Sequence, residues 1–108
     1  MLSSLLRRAP VEEFAKSLAG DVAKRYPAAL DKVPSKRPSV NRLTRIVEDL
    51  CKRAVDFHAE HRLGWFAKAK LANAFRWELT ELGYGKEFIT LVTEAVVVHL
   101  GKASPPKK

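Results

Sequence analysis

The sequence predicts an all-α protein built as a small helical bundle, with three main helices and a shorter helix before them. Apolar residues recur at intervals of three and four in four separate segments, which is the spacing of one helix face. Most glycines and prolines fall between those segments, where they end helices and form turns. The longest apolar stretch, residues 88–100, is longer than an ordinary strand. With 108 residues, the chain has the length of a single domain.

The last helix is predicted over about residues 86–100. Its polar residues share one side of the helix; they are Lys86, Thr90, Thr93 and Glu94. A helix this apolar is stable in water only when other helices cover it. We therefore expect the two preceding helices to bury it.

The first helix is predicted over about residues 10–25. Pro10 suits the first helical position, and Glu12 and Glu13 complement the helix dipole in the first turn. The apolar face comprises Val11, Phe14, Ala15, Leu18 and Val22. We expect a short arm packed on the rest and connected by a flexible, proline-containing linker at residues 27–38.

The second helix is predicted over about residues 39–63, with Ser39 as its N-cap and Gly64 as a left-handed C-cap. Its apolar seam comprises Val40, Leu43, Val47, Leu50, Ala54, Phe57 and His61. Acid-before-base pairs one helical turn apart are expected on the outer side, namely Glu48 with Lys52 and Asp49 with Arg53.

The third helix is predicted over residues 65–82 and ends at Gly83. Its main apolar stripe comprises Leu71, Ala72, Phe75, Leu79 and Leu82. A second stripe on a different side, called the aromatic stripe below, comprises Phe66, Lys70, Asn73 and Trp77. Short turns connect these helices, so consecutive helices are expected to be antiparallel neighbours.

The net charge of +8 lies mainly towards the ends of the chain. Residues 1–45 contribute +6, residues 46–101 contribute −1 and residues 102–108 contribute +3. We divide the chain into a basic leader (1–9), one helical domain (10–101) and a disordered basic tail (102–108). This distribution favours polyanionic partners, although basic ends also serve simply to keep proteins soluble.

The location of the protein is predicted to be intracellular, with the cytoplasm favoured. The single cysteine, Cys51, suits a reducing compartment, and no apolar run approaches the length of a membrane span. The first residues resemble the start of a mitochondrial presequence in composition, which keeps import as an alternative.

The aromatic stripe has two interpretations. Phe66 and Trp77 either pack beneath the first helix or lie exposed beside Lys70, Asn73 and Arg76. In the exposed case the aromatic rings could stack on unpaired bases while the cations contact phosphate. The same residues could equally form a hot spot for a protein partner.

Val97 and Val98 fall on the polar side of the last helix and are expected to face outward. Such an apolar patch would bind a partner, most simply a second copy of the chain, unless Leu2, Leu5 and Leu6 of the leader cover it.

A basic cluster spans the linker and the start of the second helix; it comprises Lys32, Lys36, Arg37, Arg42 and Arg45. Phosphate contacts of this kind bind nucleic acid without sequence preference and weaken with salt. The alternative is a solvated linker with scattered charges.

Catalysis is the least supported class of function. His58 and His61 lack a third ligand at a recognisable spacing, so no metal site is predicted, and no glycine-rich loop indicates a cofactor or a small-molecule substrate. A helix-turn-helix formed by the last two helices is rejected, because the helix that should enter the DNA groove is the most apolar one.

Two functional hypotheses follow. The first, favoured by the charge, is a non-catalytic nucleic-acid-binding protein that uses the basic cluster and the aromatic stripe. The second is a protein interaction module, either a homodimer or an accessory subunit, that docks through Val97, Val98 and the aromatic stripe.

Overall fold

The computed structural model describes residues 2–103, with side chains placed for residues 10–102, and this part of the chain contains helices and turns but no strand. The helices are α1 (Leu2–Arg25), α2 (Ala28–Asp31), α3 (Val40–His61), α4 (Trp65–Leu82) and α5 (Lys86–Ala103), with a 3₁₀ turn at Pro34–Lys36. The four long helices form a bundle in which α1 and α5 each pack against both α3 and α4. The predicted all-α bundle is confirmed, and so is the burial of the last helix by its two predecessors.

Helix α1 differs from the predicted arm in length and in role. It begins at Leu2, and Pro10 lies inside it. Proline removes one backbone hydrogen bond, but its fixed φ is compatible with a helix, so the helix continues. Five apolar side chains of α1 are buried in the common core, namely Val11, Ala15, Leu18, Ala19 and Val22. Helix α1 is therefore part of the bundle rather than an addition to it.

Charged side chains connect α1 to α3. The Arg25 guanidinium donates to Asp49 at 2.7 Å, and the Arg53 guanidinium forms an ion pair with Asp21. Residue numbers rise along α1 from Asp21 to Arg25, while those of their partners on α3 fall from 53 to 49. The two helices are therefore antiparallel. Asp49 and Arg53 thus bond to another helix instead of to each other as predicted, because the sequence does not reveal that α1 lies beside this face.

The buried face of α3 is rotated relative to the predicted seam. Leu50 and Ala54 are buried as expected, but Val40 and His61 are exposed, whereas Ile46, Cys51 and His58 are buried. Apolar spacing alone therefore placed the buried face about one position away from where the neighbouring helices cover it. The Ser39 hydroxyl accepts the Arg42 N–H at 3.2 Å, which confirms the predicted N-cap.

The C-cap of α3 is Arg62, which takes the left-handed conformation (φ 52°) predicted for Gly64. Helix α4 ends as predicted at Gly83, whose φ is 99°. The main stripe of α4 is buried except for Leu82. In α5, Thr93 is buried instead of lying on the outer side, because Ile89, Val96 and Leu100 share its side of the helix.

Segment 27–38, predicted as a flexible linker, is held by the buried carboxylate of Asp31. One oxygen accepts the Tyr26 hydroxyl at 2.6 Å, and the other accepts the Gly85 N–H at 2.8 Å. The Tyr84 hydroxyl donates to the carbonyl of Tyr26, and both rings pack against Phe88. These contacts attach the segment to the start of α5.

The packing also differs from the prediction that consecutive helices are neighbours. Helices α4 and α5 pack together, but α3 packs on α5 and α1 rather than along α4. None of the helices at residues 2–103 is long and apolar enough to cross a membrane. Helix α5 includes Lys102 and Ala103, and the prediction of a disordered tail otherwise falls on residues outside the described part.

Candidate functional site

The basic cluster lies on the exposed surface where α2, the 3₁₀ turn and the start of α3 meet. Lys32, Lys36 and Arg45 are exposed, and their side chains have no hydrogen bond or ion pair with any residue the structure describes. Lys36 ends the 3₁₀ turn, and Arg45 lies in the second turn of α3. These three cations are therefore available to an external anion.

The other two members of the basic cluster have structural roles. Arg37 donates from Nε and Nη2 to the main-chain carbonyl of Asp31, at 3.0 and 2.8 Å. Arg42 donates from Nη2 to the carbonyl of Arg25, which ends α1. Both side chains still reach solvent, but each already uses part of its guanidinium to hold the segment between α1 and α3.

The charge around the basic cluster is one-sided. Residues 22–47 contain seven lysines and arginines and a single acid, Asp31. Because Asp31 is buried and satisfied internally, it projects no free carboxylate towards a ligand. Burial and the nearby carboxylate of Asp31 raise the pKa of the Tyr84 hydroxyl to about 12, so this neighbour carries no charge at neutral pH. The surface of the segment is consequently positive, apart from the contact of Arg25 with Asp49.

The aromatic stripe on α4 is exposed rather than packed beneath α1. The exposed fractions are 81% for Phe66, 59% for Trp77 and 77% for the adjacent Trp65. Asn73 and Arg76 are exposed on the same helix, and Lys70 is half-buried. The three most exposed aromatic side chains therefore lie on one helix, and the packing of α1 on α4 does not cover them.

A shallow groove of about 770 Å³ runs along this surface, which we call the aromatic groove. Its lining comprises Glu12, Trp65, Phe66, Ala69, Lys70, Asn73, Ala74 and Trp77. Sequence reasoning missed Trp65, Glu12 and the two alanines. Trp65 lies about 100° around the helix from Phe66, so helical spacing alone does not assign it to the stripe, and the contribution of Glu12 depends on how α1 packs.

The aromatic groove and the basic cluster are electrostatically different. Lys70 and Glu12 give the groove lining one charge of each sign. No residue of the basic cluster lines the groove, and no contact between described side chains connects the two surfaces. The basic cluster and the aromatic groove are therefore two surfaces that share no lining residue.

Val97 and Val98 are about half exposed, at 48% and 49%, in agreement with their expected outward orientation. The exposed Glu94 lies on the same side of α5, so the apolar surface here is interrupted by charge. Leu91, which was not predicted to be exposed, lies one turn before Glu94 and is 47% exposed. The proposed cover by Leu2, Leu5 and Leu6 falls on side chains outside the described range.

A second cleft of about 450 Å³ lies beside Asp31, between the start of α3 and the start of α5. Its floor includes Tyr26 and Phe88, and Arg37, Lys86 and Glu87 lie at its edge. The charged groups of the cleft balance, and the hydrogen bonds of Asp31 with Tyr26, Arg37 and Gly85 attach segment 27–38.

The remaining reactive side chains are isolated. No group of three or more histidine, cysteine, aspartate or glutamate side chains that could hold a metal ion occurs among the described residues. Cys51 is buried, and burial raises the pKa of its thiol to about 11. His58 is buried, its Nδ1 has no hydrogen-bond partner among the described residues, and burial lowers its pKa.

Comparisons of the chain with protein-family models, with curated proteins and with solved structures give no match.

Proposed function

We propose that this protein is a non-catalytic nucleic-acid-binding protein whose basic cluster contacts the phosphate backbone. The observation that carries the proposal is the unbalanced positive charge of residues 22–47. Seven basic residues are present there, and the only acid is withdrawn into the core. A surface on which exposed cations outnumber exposed acids attracts phosphate through long-range electrostatics.

The geometry of the segment supports binding by contacts to the backbone of the nucleic acid. Lys32, Lys36 and Arg45 lie at three successive elements; Arg37 ties the end of the 3₁₀ turn to α2, and Arg42 ties the start of α3 to the end of α1. Phosphate contacts position a nucleic acid but carry no sequence information by themselves. The expected activity is therefore binding with little sequence preference and a strong dependence on salt.

A titration with labelled oligonucleotides tests the proposal. Fluorescence anisotropy would be measured for single-stranded and duplex DNA and RNA over a range of salt concentrations. The variant Lys32→Gln/Lys36→Gln/Arg45→Gln removes the three unpaired cations. We expect its affinity at physiological salt to fall by about tenfold or more, and the slope of log K against log salt to decrease by roughly two to three.

A matched control removes three exposed cations that belong to neither surface, as Lys16→Gln/Lys52→Gln/Arg62→Gln. This control has the same net charge as the first variant and should keep most of the affinity. If the wild-type protein shows no binding at low salt, or if both variants lose affinity equally, the basic cluster is not a nucleic-acid site. Circular dichroism of each variant would establish that the helices are retained.

The second candidate function is that of a protein interaction module. It is favoured by the exposure of Trp65, Phe66 and Trp77, since tryptophan and other aromatic residues dominate the energetics of protein interfaces. This candidate uses a different surface from the basic cluster, so the two functions do not exclude each other.

A further inference from the structure

The aromatic groove has the features of an interface that is not filled within one chain. Trp65, Phe66 and Trp77 are exposed at 77%, 81% and 59%. A large aromatic side chain presents 150–250 Å², so these three expose roughly 500 Å² in total. A standard interface buries about 800 Å² on each partner, and the three rings would supply more than half of that.

The charge of the aromatic groove selects against a polyanion as its occupant. Lys70 and Glu12 are its only charged lining residues, and their charges cancel. A nucleic acid or an anionic membrane surface would find a far more positive surface at the basic cluster. A neutral groove that offers one cation, one carboxylate and large apolar rings fits a partner with the same set of groups.

The order of residues along α4 is complementary to that of α4 in a second copy of the chain. Consider two α4 helices that pack antiparallel about a two-fold axis located between positions 71 and 72. Each residue of one helix then faces the residue of the other helix that lies at the same distance from the axis, on the opposite side in sequence. Phe66 then faces Trp77 of the other copy, and Ala69 faces Ala74. Lys70 faces Asn73, whose amide oxygen can accept from an ammonium group. All six residues line the aromatic groove.

This pairing matches aromatic with aromatic, small with small, and donor with acceptor. A two-fold interface requires this property, because each contact occurs twice with the roles exchanged. The alanines permit a close approach of the helices, while Phe66 and Trp77, about 16 Å apart along the axis, close the interface at both ends.

From these observations we infer that the aromatic groove is the interface of a homodimer, formed by antiparallel packing of α4 against α4 of a second copy. Gly83, at the end of α4, lies beside Ala28, so the basic cluster is near the C-terminal end of this helix. Antiparallel packing therefore places the two basic clusters at opposite ends of the dimer. The inference does not depend on whether those clusters bind nucleic acid.

Sedimentation velocity over a wide range of protein concentration tests the inference. The wild-type protein should convert from monomer to dimer as the concentration rises. The single variants Trp77→Glu and Phe66→Glu should each weaken dimerisation by roughly 100-fold or more, because each substitution acts twice in a symmetric interface. Both positions are exposed in the monomer, so circular dichroism should show unchanged helix content in both variants.

The matched control is Val97→Glu/Val98→Glu, which places acidic residues on the half-exposed face of α5 and should leave the dimer intact. Intrinsic fluorescence provides a second measurement, since both tryptophans of the chain lie on α4 and line the groove. Their emission should shift to shorter wavelength as the dimer forms. A wild-type monomer at millimolar concentration would overturn the inference, and so would a dimer that the α4 substitutions leave intact or that only the α5 control disrupts.

Discussion

The carboxylate of Asp31 accepts a hydrogen bond from the backbone N–H of Gly85, 54 residues further along the chain. Gly85 immediately precedes α5, so a side chain from the segment after α1 satisfies a backbone donor at the start of the last helix. The same carboxylate accepts the hydroxyl of Tyr26. One buried acid thus connects three parts of the chain, and it offers no exposed counter-charge of its own to the surrounding lysines and arginines.

Replacing Asp31 with alanine is expected to destabilise the fold by about 2–4 kcal/mol, because a buried hydroxyl and a backbone N–H would both lose their acceptor. Urea denaturation followed by circular dichroism measures this change. Asp56→Ala is the control, since Asp56 is exposed and forms only a surface ion pair with Lys52, and its effect should stay within about 0.5 kcal/mol. Equal effects of the two substitutions would contradict the role assigned to Asp31.

The Arg62→Gly substitution is expected to stabilise the protein by up to about 1 kcal/mol. Arg62 has φ 52° and ψ 57°, a left-handed conformation that is costly for a residue with a Cβ and readily adopted by glycine. Thermal and urea denaturation would both reveal the change. Arg62→Ala serves as the control for loss of the side chain, because alanine retains the Cβ; stabilisation by alanine as large as that by glycine would argue against a backbone effect.

The stability of the protein should decrease as the pH falls below about 6.5. Burial, with a smaller contribution from the Lys68 ammonium, lowers the pKa of His58 from its ordinary value of 6.5. In the unfolded chain the imidazole binds a proton near pH 6.5, whereas in the folded protein it stays neutral until a lower pH. The free energy of unfolding contributed by this group is therefore complete above pH 6.5 and is lost as the pH falls towards the folded pKa.

Urea denaturation between pH 7.5 and pH 5.5 would measure this dependence. The His58→Leu variant should show a flatter profile, whatever its absolute stability. His61→Gln, at an exposed position one turn later on α3, should keep the wild-type slope. If His58→Leu shows the same slope as the wild-type protein, the dependence comes from other groups.

Cys51 should be inert in the folded protein. It is 2% exposed, so a reagent cannot reach it. Burial also raises the pKa of its thiol to about 11, so the reactive thiolate is scarcely populated at pH 8. Modification by a thiol-specific reagent should therefore proceed only through opening of the bundle and accelerate greatly in urea. Since the chain contains one cysteine, the signal has a single origin. Rapid modification in native buffer would show that this face of α3 is accessible.

Much of the fold could be predicted because apolar spacing records which face of a helix is buried. Leu71, Ala72, Phe75 and Leu79 were identified in this way, and Gly83 marked the end of α4 through its need for a positive φ. The face of α3 was predicted less well. Val40 and Ile46 are both apolar, and only the positions of α1 and α5 decide that Ile46 is covered and Val40 is not.

For the candidate surfaces, too, the local sequence pattern identified the residues but not their arrangement in the fold. Composition identified Lys32, Lys36 and Arg45, but it could not show that Asp31 is withdrawn from the same segment by Tyr26 and Gly85. The exposure of Phe66 and Trp77 depends on the side from which α1 approaches α4, and no spacing rule contains that information. Interhelical ion pairs were missed for the same reason.

The diagonal placement of α3 and α4 has a consequence for how the chain acquires its shape. These helices are joined by a short turn yet do not pack along each other, so α4 packs on α1 and α5 and not on the helix that immediately precedes it. Helix α1 must instead find α4 across an intervening helix, which raises the contact order and slows folding. On the ribosome, the part of the apolar face of α1 that packs on α4 would stay uncovered until α4 has emerged, although α3 is available earlier.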